Sequence, residues 1–102
     1  MKDIHSESTD RLFDAILLLK SREECYAFFE DLSTVKELES MGQRLDTAVL
    51  LSEGKSYQEI LENTGISTAT ISRVSKCLNY GPGGYQLIID RLKEKDGKES
   101  KA

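Results

Sequence analysis

The feature that most constrains the fold is a single glycine, Gly65, which stands between two short segments with apolar residues at fixed offsets from it. Ile60 lies five residues before Gly65 and Ile66 lies one after it, and Ile71 and Val74 follow at six and nine residues. Glycine readily adopts the left-handed backbone conformation that a tight turn between helices requires. The spacing therefore predicts two short helices that cross at Gly65 and enclose the four apolar side chains, which is a helix-turn-helix.

Helix starts elsewhere in the chain are marked by a serine or threonine with a glutamate three positions later. This pair satisfies backbone N–H groups that are otherwise unpaired at a helix N-terminus. Apolar residues spaced by three or four follow, and no alternating strand pattern occurs, so we expect an all-α fold of about six helices. The predicted helices are one capped by Thr9 or Asp10, one from Ser21 to about Asp31, one from Val35 to about Ser52, one from Ser56 to about Asn63, one from Ser67 to about Leu78, and a last one through Tyr85, Ile88, Ile89 and Leu92.

The length of 102 residues fits one compact domain. We expect a flexible N-terminal arm over residues 1–9, a helical domain over residues 10–95, and a frayed polar tail over residues 96–102. Within the helical domain, the helix-turn-helix covers about residues 56–78. The GPGG segment at residues 81–84 interrupts the helices before the last one begins.

The second helix of this motif carries small hydroxyl and methyl side chains on the faces that the fold leaves outward. Small side chains let a helix backbone approach base edges in a major groove about 12 Å wide. Arg73 and Lys76 follow one to two turns later and suit phosphate or guanine contacts, and the backbone N–H groups near Ser67 suit a phosphate. The predicted DNA-contacting residues are Tyr57, Gln58, Ser67, Thr68, Ala69, Thr70, Ser72, Arg73 and Lys76.

The net charge of −4 would normally oppose a polyanionic partner, but the charge is unevenly distributed. Residues 1–54 contain 6 basic and 12 acidic side chains, a balance of −6. Residues 55–80 contain 3 basic and 2 acidic side chains, and residues 81–102 contain 5 and 4, so each segment has a balance of +1. The acidic charge therefore lies in the N-terminal half, and double-stranded DNA stays the expected partner.

Signals for catalysis, metal binding and membrane insertion are absent from the sequence. His5 is the only histidine, and no glycine-rich phosphate loop, nucleophile elbow or metal-spaced cluster occurs, so we expect no enzyme and no metal. No apolar run approaches the roughly 18 residues of a membrane span, and residues 1–10 have no apolar segment behind a basic one, so we expect neither a membrane span nor a signal peptide. Cys25 and Cys77 stand apart without CxxC spacing, which favours a cytoplasmic protein with reduced thiols.

Three segments resemble the Trp repressor superfamily, and most closely its TrpR-like YerC/YecD family: MGQR at 41–44, SYQEI at 56–60 and ATISRVSKCL at 69–78. The resemblance extends over about residues 10–95. It implies an intertwined all-helical homodimer in which the first three helices and the last share one core. The two helix-turn-helix units would then protrude about 34–36 Å apart and read an inverted repeat. The low hydrophobic content of 38% fits such a shared core.

The resemblance also implies a ligand site. Trp repressors hold tryptophan between two arginines, and Arg44 and Arg73 stand at the matching positions. The family glycine that makes room for the indole is Val74 here, and the serine that binds the amino end of the ligand is Cys77. We therefore expect no cofactor and no response to tryptophan. Arg44, Arg73 and Cys77 stay candidates for binding phosphate or another small anion.

Two functions follow from these features. The first is a sequence-specific DNA-binding transcriptional regulator, a repressor by the resemblance, that acts as a homodimer with an unknown effector. The alternative is a helical protein-interaction module whose helix-turn-helix is only structural. The two functions differ in their salt dependence, because DNA binding would weaken steeply as salt is added.

Single residues also have alternative roles. The alternative for Arg44 is a surface ion pair with Glu39 or Asp46, and Cys77 is either a buried structural thiol or an oxidation sensor.

Overall fold

The protein is described by a computed structural model that covers the backbone of residues 3–100 and the side chains of residues 3–97. Within that range the chain forms six α-helices and no strand, which confirms the predicted all-α fold. The helices are α1 (Glu7–Leu17), α2 (Arg22–Leu32), α3 (Val35–Ser52), α4 (Tyr57–Thr64), α5 (Thr68–Tyr80) and α6 (Gly84–Ser100). The chain divides into two compact units, Met1–Leu38 and Glu39–Ala102, with the boundary inside α3.

The starts of α2 and α3 follow the serine or threonine plus glutamate pattern. Ser21 Oγ accepts a hydrogen bond from the backbone N–H of Glu24 at 3.1 Å. Thr34 and Glu37 bond each other twice: Thr34 Oγ1 accepts from the N–H of Glu37 at 3.0 Å, and Glu37 Oε1 accepts from the N–H of Thr34 at 2.9 Å. The bond that the Thr34 N–H donates to the carboxylate stabilises its ionised form and holds the pKa of Glu37 below its ordinary value of 4.5.

α1 starts earlier than predicted. Ser6, and not Thr9 or Asp10, is its N-cap, because Ser6 Oγ accepts a hydrogen bond from the N–H of Thr9 at 3.0 Å. Acidic side chains in the first turn further stabilise this start through the helix dipole. Residues 7–9 of the predicted flexible arm therefore belong to α1, while residues 1 and 2 lie outside the described part of the chain.

The C-terminal helix is longer than predicted. α6 continues to Ser100, although the tail was expected to fray from residue 96. Each residue added to an existing helix gains a backbone hydrogen bond without a new nucleation cost, so a polar segment can continue a helix that an apolar segment began. Residues 101 and 102 of the predicted tail lie outside the described residues.

The helices of the first unit keep much of their apolar surface in water. Neither α1 nor α2 contains a buried residue. Leu17 and Leu18 are 82% and 75% exposed, and the edge-to-face pair of Phe28 and Phe29, with ring centroids 5.7 Å apart, is only half buried. The other exposed large apolar side chains of this unit in α1, α2 and α3 are Phe13, Tyr26, Leu32 and Val35.

The second unit contains two small hydrophobic clusters. Ile60, Ile66 and Ile71 form the first, between α4 and α5, as predicted. Val74, which was predicted to join them, instead packs in the second cluster with Ala48 of α3 and Ile89 of α6. Val74 lies one helical turn beyond Ile71, or about 4.5 Å along α5. The eight residues of α4 do not cover that turn, and α3 and α6 do.

Candidate nucleic-acid interface

The turn between α4 and α5 has the predicted glycine conformation. Gly65 is the C-cap of α4, with φ 72° and ψ 4°, and its N–H donates to the carbonyl oxygen of Leu61 at 2.8 Å. A Cβ at this position would meet no atom within 4 Å, so backbone conformation and not space requires the glycine. Ile66 follows at once and is buried, which holds the start of α5 against α4.

A hydroxyl cap fixes the N-terminus of α5. Ser67 Oγ accepts a hydrogen bond from the N–H of Thr70 at 3.2 Å, and the hydroxyl oxygens of the two residues lie 3.1 Å apart. Thr70 is half buried and its hydroxyl lies beside that of Ser67, whereas the sequence predicts an outward side chain at this position. Ser67 itself is exposed. Both hydroxyl groups therefore take part in the cap that stabilises the start of α5.

The remaining predicted contacts on α5 lie together on its exposed side. An α-helix turns about 100° per residue, so positions spaced by three or four share a face. The buried side chains Ile71 and Val74 define the inner side of α5. Opposite them lies a surface that we call the outer face of α5, which consists of the exposed residues Thr68, Ala69, Ser72, Arg73 and Lys76.

The predicted contacts on α4 sit in its first turn. Tyr57 and Gln58 are both exposed, directly after the N-cap Ser56, whose Oγ accepts from the N–H of Glu59 at 3.2 Å. The side-chain amide of Gln58 donates to Glu62 Oε1 at 3.0 Å. An amide group has two N–H donors, so Gln58 can bond Glu62 and a second acceptor together.

The described cations of the second unit, up to residue 97, have no carboxylate within ion-pair distance. Among the side chains of residues 3–97, the one ion pair within 4 Å joins His5 and Asp3. Arg73 and Lys76 thus carry their charge on the outer face of α5 without a carboxylate partner in this range. The same holds for Arg44, so the proposed ion pair with Glu39 or Asp46 is wrong. The Nε of Arg44 lies 3.4 Å from the carbonyl oxygen of Ser40 instead.

A cavity of about 280 Å³ lies beside the outer face of α5, between α3, α5 and the start of α6. It brings together the three residues that the sequence proposed as an anion site. Cys77 is exposed, so a buried structural role for its thiol is wrong. Val74 is 2% exposed and contributes its branched side chain to the wall. The lining residues are Ser40, Arg44, Thr70, Arg73, Val74, Cys77 and Tyr85.

Two residues of this cavity were not predicted from the sequence. Ser40 lies four residues before Arg44 on α3, a spacing that places both on one helix face and that was available as a signal. For Tyr85, at the start of α6, the sequence predicts only an apolar helix position. Its place in the cavity depends on the tertiary packing of α6 beside α5, for which the sequence carries no local signal.

The part of the chain that the structure describes also lacks metal-binding and membrane-spanning features. Within it, no group of three or more histidine, cysteine or acidic side chains could hold a metal ion. None of the six helices, over the residues that the structure covers, has the length and apolar content required to cross a membrane.

The chain is similar to a known family over most of its length. The family model described as Trp repressor protein matches residues 7–93. The protein named "Uncharacterized protein YerC" from Bacillus subtilis (strain 168) is 50% identical over 97 residues, which are 95% of this chain and 93% of that protein. Both findings confirm the predicted resemblance to the Trp repressor superfamily and its TrpR-like YerC/YecD family.

Solved structures agree with the sequence comparisons. A TrpR-like protein from Eubacterium eligens ATCC 27750 is 47% identical, with a TM-score of 0.86 over 88% of this chain and 93% of that chain. A putative Trp repressor from Staphylococcus aureus is 48% identical, with a TM-score of 0.85 over 88% of this chain and 90% of that chain. The chain therefore belongs to the Trp repressor family.

Proposed function

We propose that this protein is a sequence-specific regulator of transcription, a repressor, that binds double-stranded DNA by placing α5 in the major groove. The observation that carries the proposal is the outer face of α5, on which small side chains and two cations lie exposed opposite the buried side of the helix. Membership of the Trp repressor family supports it, because proteins of that family are regulators and not enzymes.

The dimensions and chemistry of α5 suit this role. Its 13 residues give a rod about 20 Å long, and its narrow N-terminal half carries Thr68, Ala69 and Ser72. A groove about 12 Å wide admits such a helix, and the small side chains keep the backbone close to the base edges. Arg73 and Lys76 then lie one to two turns from the helix start, where they can reach phosphates on the groove walls.

On this proposal the protein acts as a homodimer. The support is the apolar surface that a single chain leaves in water, namely the faces of α1 and α2 and, on α6, Leu87, Ile88 and Leu92. Burial of apolar surface contributes about 25 cal/mol per Å², so a second copy would cover these faces favourably. A twofold dimer presents two α5 helices and reads an inverted repeat. Such a regulator acts in the cytoplasm, where bacterial chromosomal DNA lies.

The cavity beside α5 is the proposed site for a small anionic effector. Arg44 and Arg73 both line it, and guanidinium groups bind carboxylates and phosphates through paired hydrogen bonds. Tryptophan is not the proposed effector, because the side chain of Val74 takes up space that a flat indole ring needs. Cys77 would contribute a thiol at the edge of the bound anion.

A protein-interaction module is the second candidate function. It is favoured by the acidic balance of −6 over residues 1–54 and by the exposed apolar side chains of α1 and α2. An acidic, partly apolar surface suits a basic protein partner better than a nucleic acid. In this case α5 would serve the fold alone, and its cations could be replaced without loss of partner binding.

The experiment that tests the proposed function is a selection of genomic fragments by the purified full-length protein. We expect enriched fragments to share an inverted repeat whose half-sites are about one helical turn apart, and the enrichment to fall as salt is raised. A matched selection with the protein heat-denatured gives the background. Enriched fragments without a shared repeat, or no enrichment above background, would contradict sequence-specific binding.

A further inference from the structure

The hydroxyl groups at the start of α5 are not equivalent. In the helix cap, Ser67 Oγ accepts a hydrogen bond from the backbone N–H of Thr70 at 3.2 Å and lies 3.1 Å from Thr70 Oγ1. Thr70 is half buried. Thr68 and Ser72 are exposed, and neither hydroxyl makes a hydrogen bond within the described side chains. Near the start of α5, the exposed side chains that are free to contact a base edge are therefore Thr68, Ala69 and Ser72.

Ala69 has the most outward direction among these three. With about 100° per residue, its Cβ lies about 160° around the helix from buried Ile71 and about 140° from buried Val74. A helix that approaches a groove with its outer face leading would bring this methyl group to the base edges first. The group at the point of closest approach is thus small and apolar.

The N-cap and the first five residues of α5, residues 67–72, also lack the side chains that usually read purines. Bidentate recognition of guanine uses arginine or lysine, and that of adenine uses asparagine or glutamine. None of these residue types occurs in residues 67–72. The major-groove feature that an exposed methyl group matches is the C5-methyl group of thymine, which a cytosine lacks.

We propose that Ala69 is a specificity-determining residue that selects a thymine in each half-site by packing its methyl group against the thymine C5-methyl group. The inference rests on the proposed function, since it assigns a base to the groove-facing side of the same helix. Thr68 and Ser72, which lie on one side of Ala69 around the outer face of α5, hydrogen-bond the flanking base edges or phosphates. Replacing that thymine of the operator by deoxyuridine, which lacks the C5-methyl group, therefore lowers the binding affinity.

The test uses wild-type protein and the inverted repeat obtained by fragment selection. Each thymine is replaced in turn by deoxyuridine, which removes the methyl group and keeps the base pair. We expect one position in each half-site at which this replacement weakens binding about fourfold, the effect that burial of one methyl group implies. Deoxyuridine at the other thymines should leave affinity unchanged and serves as the matched control.

A double-mutant cycle ties the effect to the residue. In Ala69→Gly the sensitive thymine should tolerate deoxyuridine without a further loss, because the partner methyl group is gone. If this variant folds poorly, the deoxyuridine scan with wild-type protein tests the inference without it. If no thymine is sensitive in the wild type, or if Ala69→Gly keeps the full fourfold loss, the inference is overturned while the proposed function survives. If no duplex is bound at all, both are overturned.

Discussion

Ser67 and Thr70 are joined by a hydrogen bond of 3.2 Å from the backbone N–H of Thr70 to the hydroxyl oxygen of Ser67, and this bond begins α5. We expect Ser67→Ala to lower the free energy of unfolding by about 1 kcal/mol, because one N–H at the helix start loses its acceptor. Urea unfolding at one fixed protein concentration measures the change. Ser72→Ala, in mid-helix, is the matched control and should change stability by less than about 0.5 kcal/mol. Equal losses in the two variants would argue against the cap.

Gly81 ends α5 with its N–H donating to the carbonyl oxygen of Cys77 at 2.8 Å. A Cβ at Gly81 would overlap that same carbonyl oxygen, which belongs to the backbone and cannot move aside cheaply. We expect Gly81→Ala to destabilise the protein by about 1–3 kcal/mol. At Gly84 a Cβ would meet no atom within 4 Å, so Gly84→Ala should be neutral or stabilising. Thermal unfolding compares the two, and the same melting temperature in both variants would refute the assigned close contact.

The Thr34–Glu37 pair predicts a pH dependence of stability. The pKa of Glu37 is lower in the folded protein than its ordinary value of 4.5, because Thr34 donates to the carboxylate. The contribution is therefore present above pH 4.5 and is lost as the pH falls through the folded-state pKa. Glu37→Gln keeps an acceptor in the capping box but cannot titrate. Thermal unfolding across this range should show a steeper acid loss for wild type than for Glu37→Gln, and parallel curves would be the contrary result.

The cavity beside α5 predicts that small anions bind and that tryptophan does not. Val74, 2% exposed, contributes its branched side chain to the cavity wall. We expect calorimetry to detect no saturable heat with tryptophan at micromolar concentration. A small phosphorylated or carboxylate compound should bind instead, and Arg44→Ala should weaken it at least about tenfold through the lost charged hydrogen bonds. Saturable micromolar binding of tryptophan would show that the cavity accepts an indole despite Val74.

Local capping signals made most of the helix starts predictable from sequence. Ser21, Thr34, Ser56 and Ser67 each cap the helix that the pattern indicated, because the bonds involved span only three residues. At α1 the pattern offered several hydroxyl and acidic residues in a row, and the structure uses the earlier one, Ser6. The turn at Gly65 was also predictable, since its conformation is a property of one residue.

Features that depend on packing between distant segments were not predictable. Val74 has the same apolar character as Ile71, and only the positions of α3 and α6 place it in a different cluster. The half-buried state of Thr70 and the exposure of Cys77 follow from the same arrangement beside the cavity. Helical spacing alone assigns a side chain to a face of α5, but it does not determine which neighbouring helix covers that face.

The positive charge on the outer face of α5 is central to the proposed DNA binding, and its removal tests that function directly. We expect Arg73→Ala with Lys76→Ala to lower affinity for the selected inverted repeat by about tenfold or more, and to flatten the slope of log K against log salt by about 0.9 for each phosphate that the variant no longer neutralises. Lys93→Ala with Lys95→Ala removes the same charge from α6 and is the matched control. Affinity and salt slope should differ between the two double variants while their melting temperatures agree. Equal affinity of wild type, Arg73→Ala/Lys76→Ala and the control would contradict the placement of α5 in the groove.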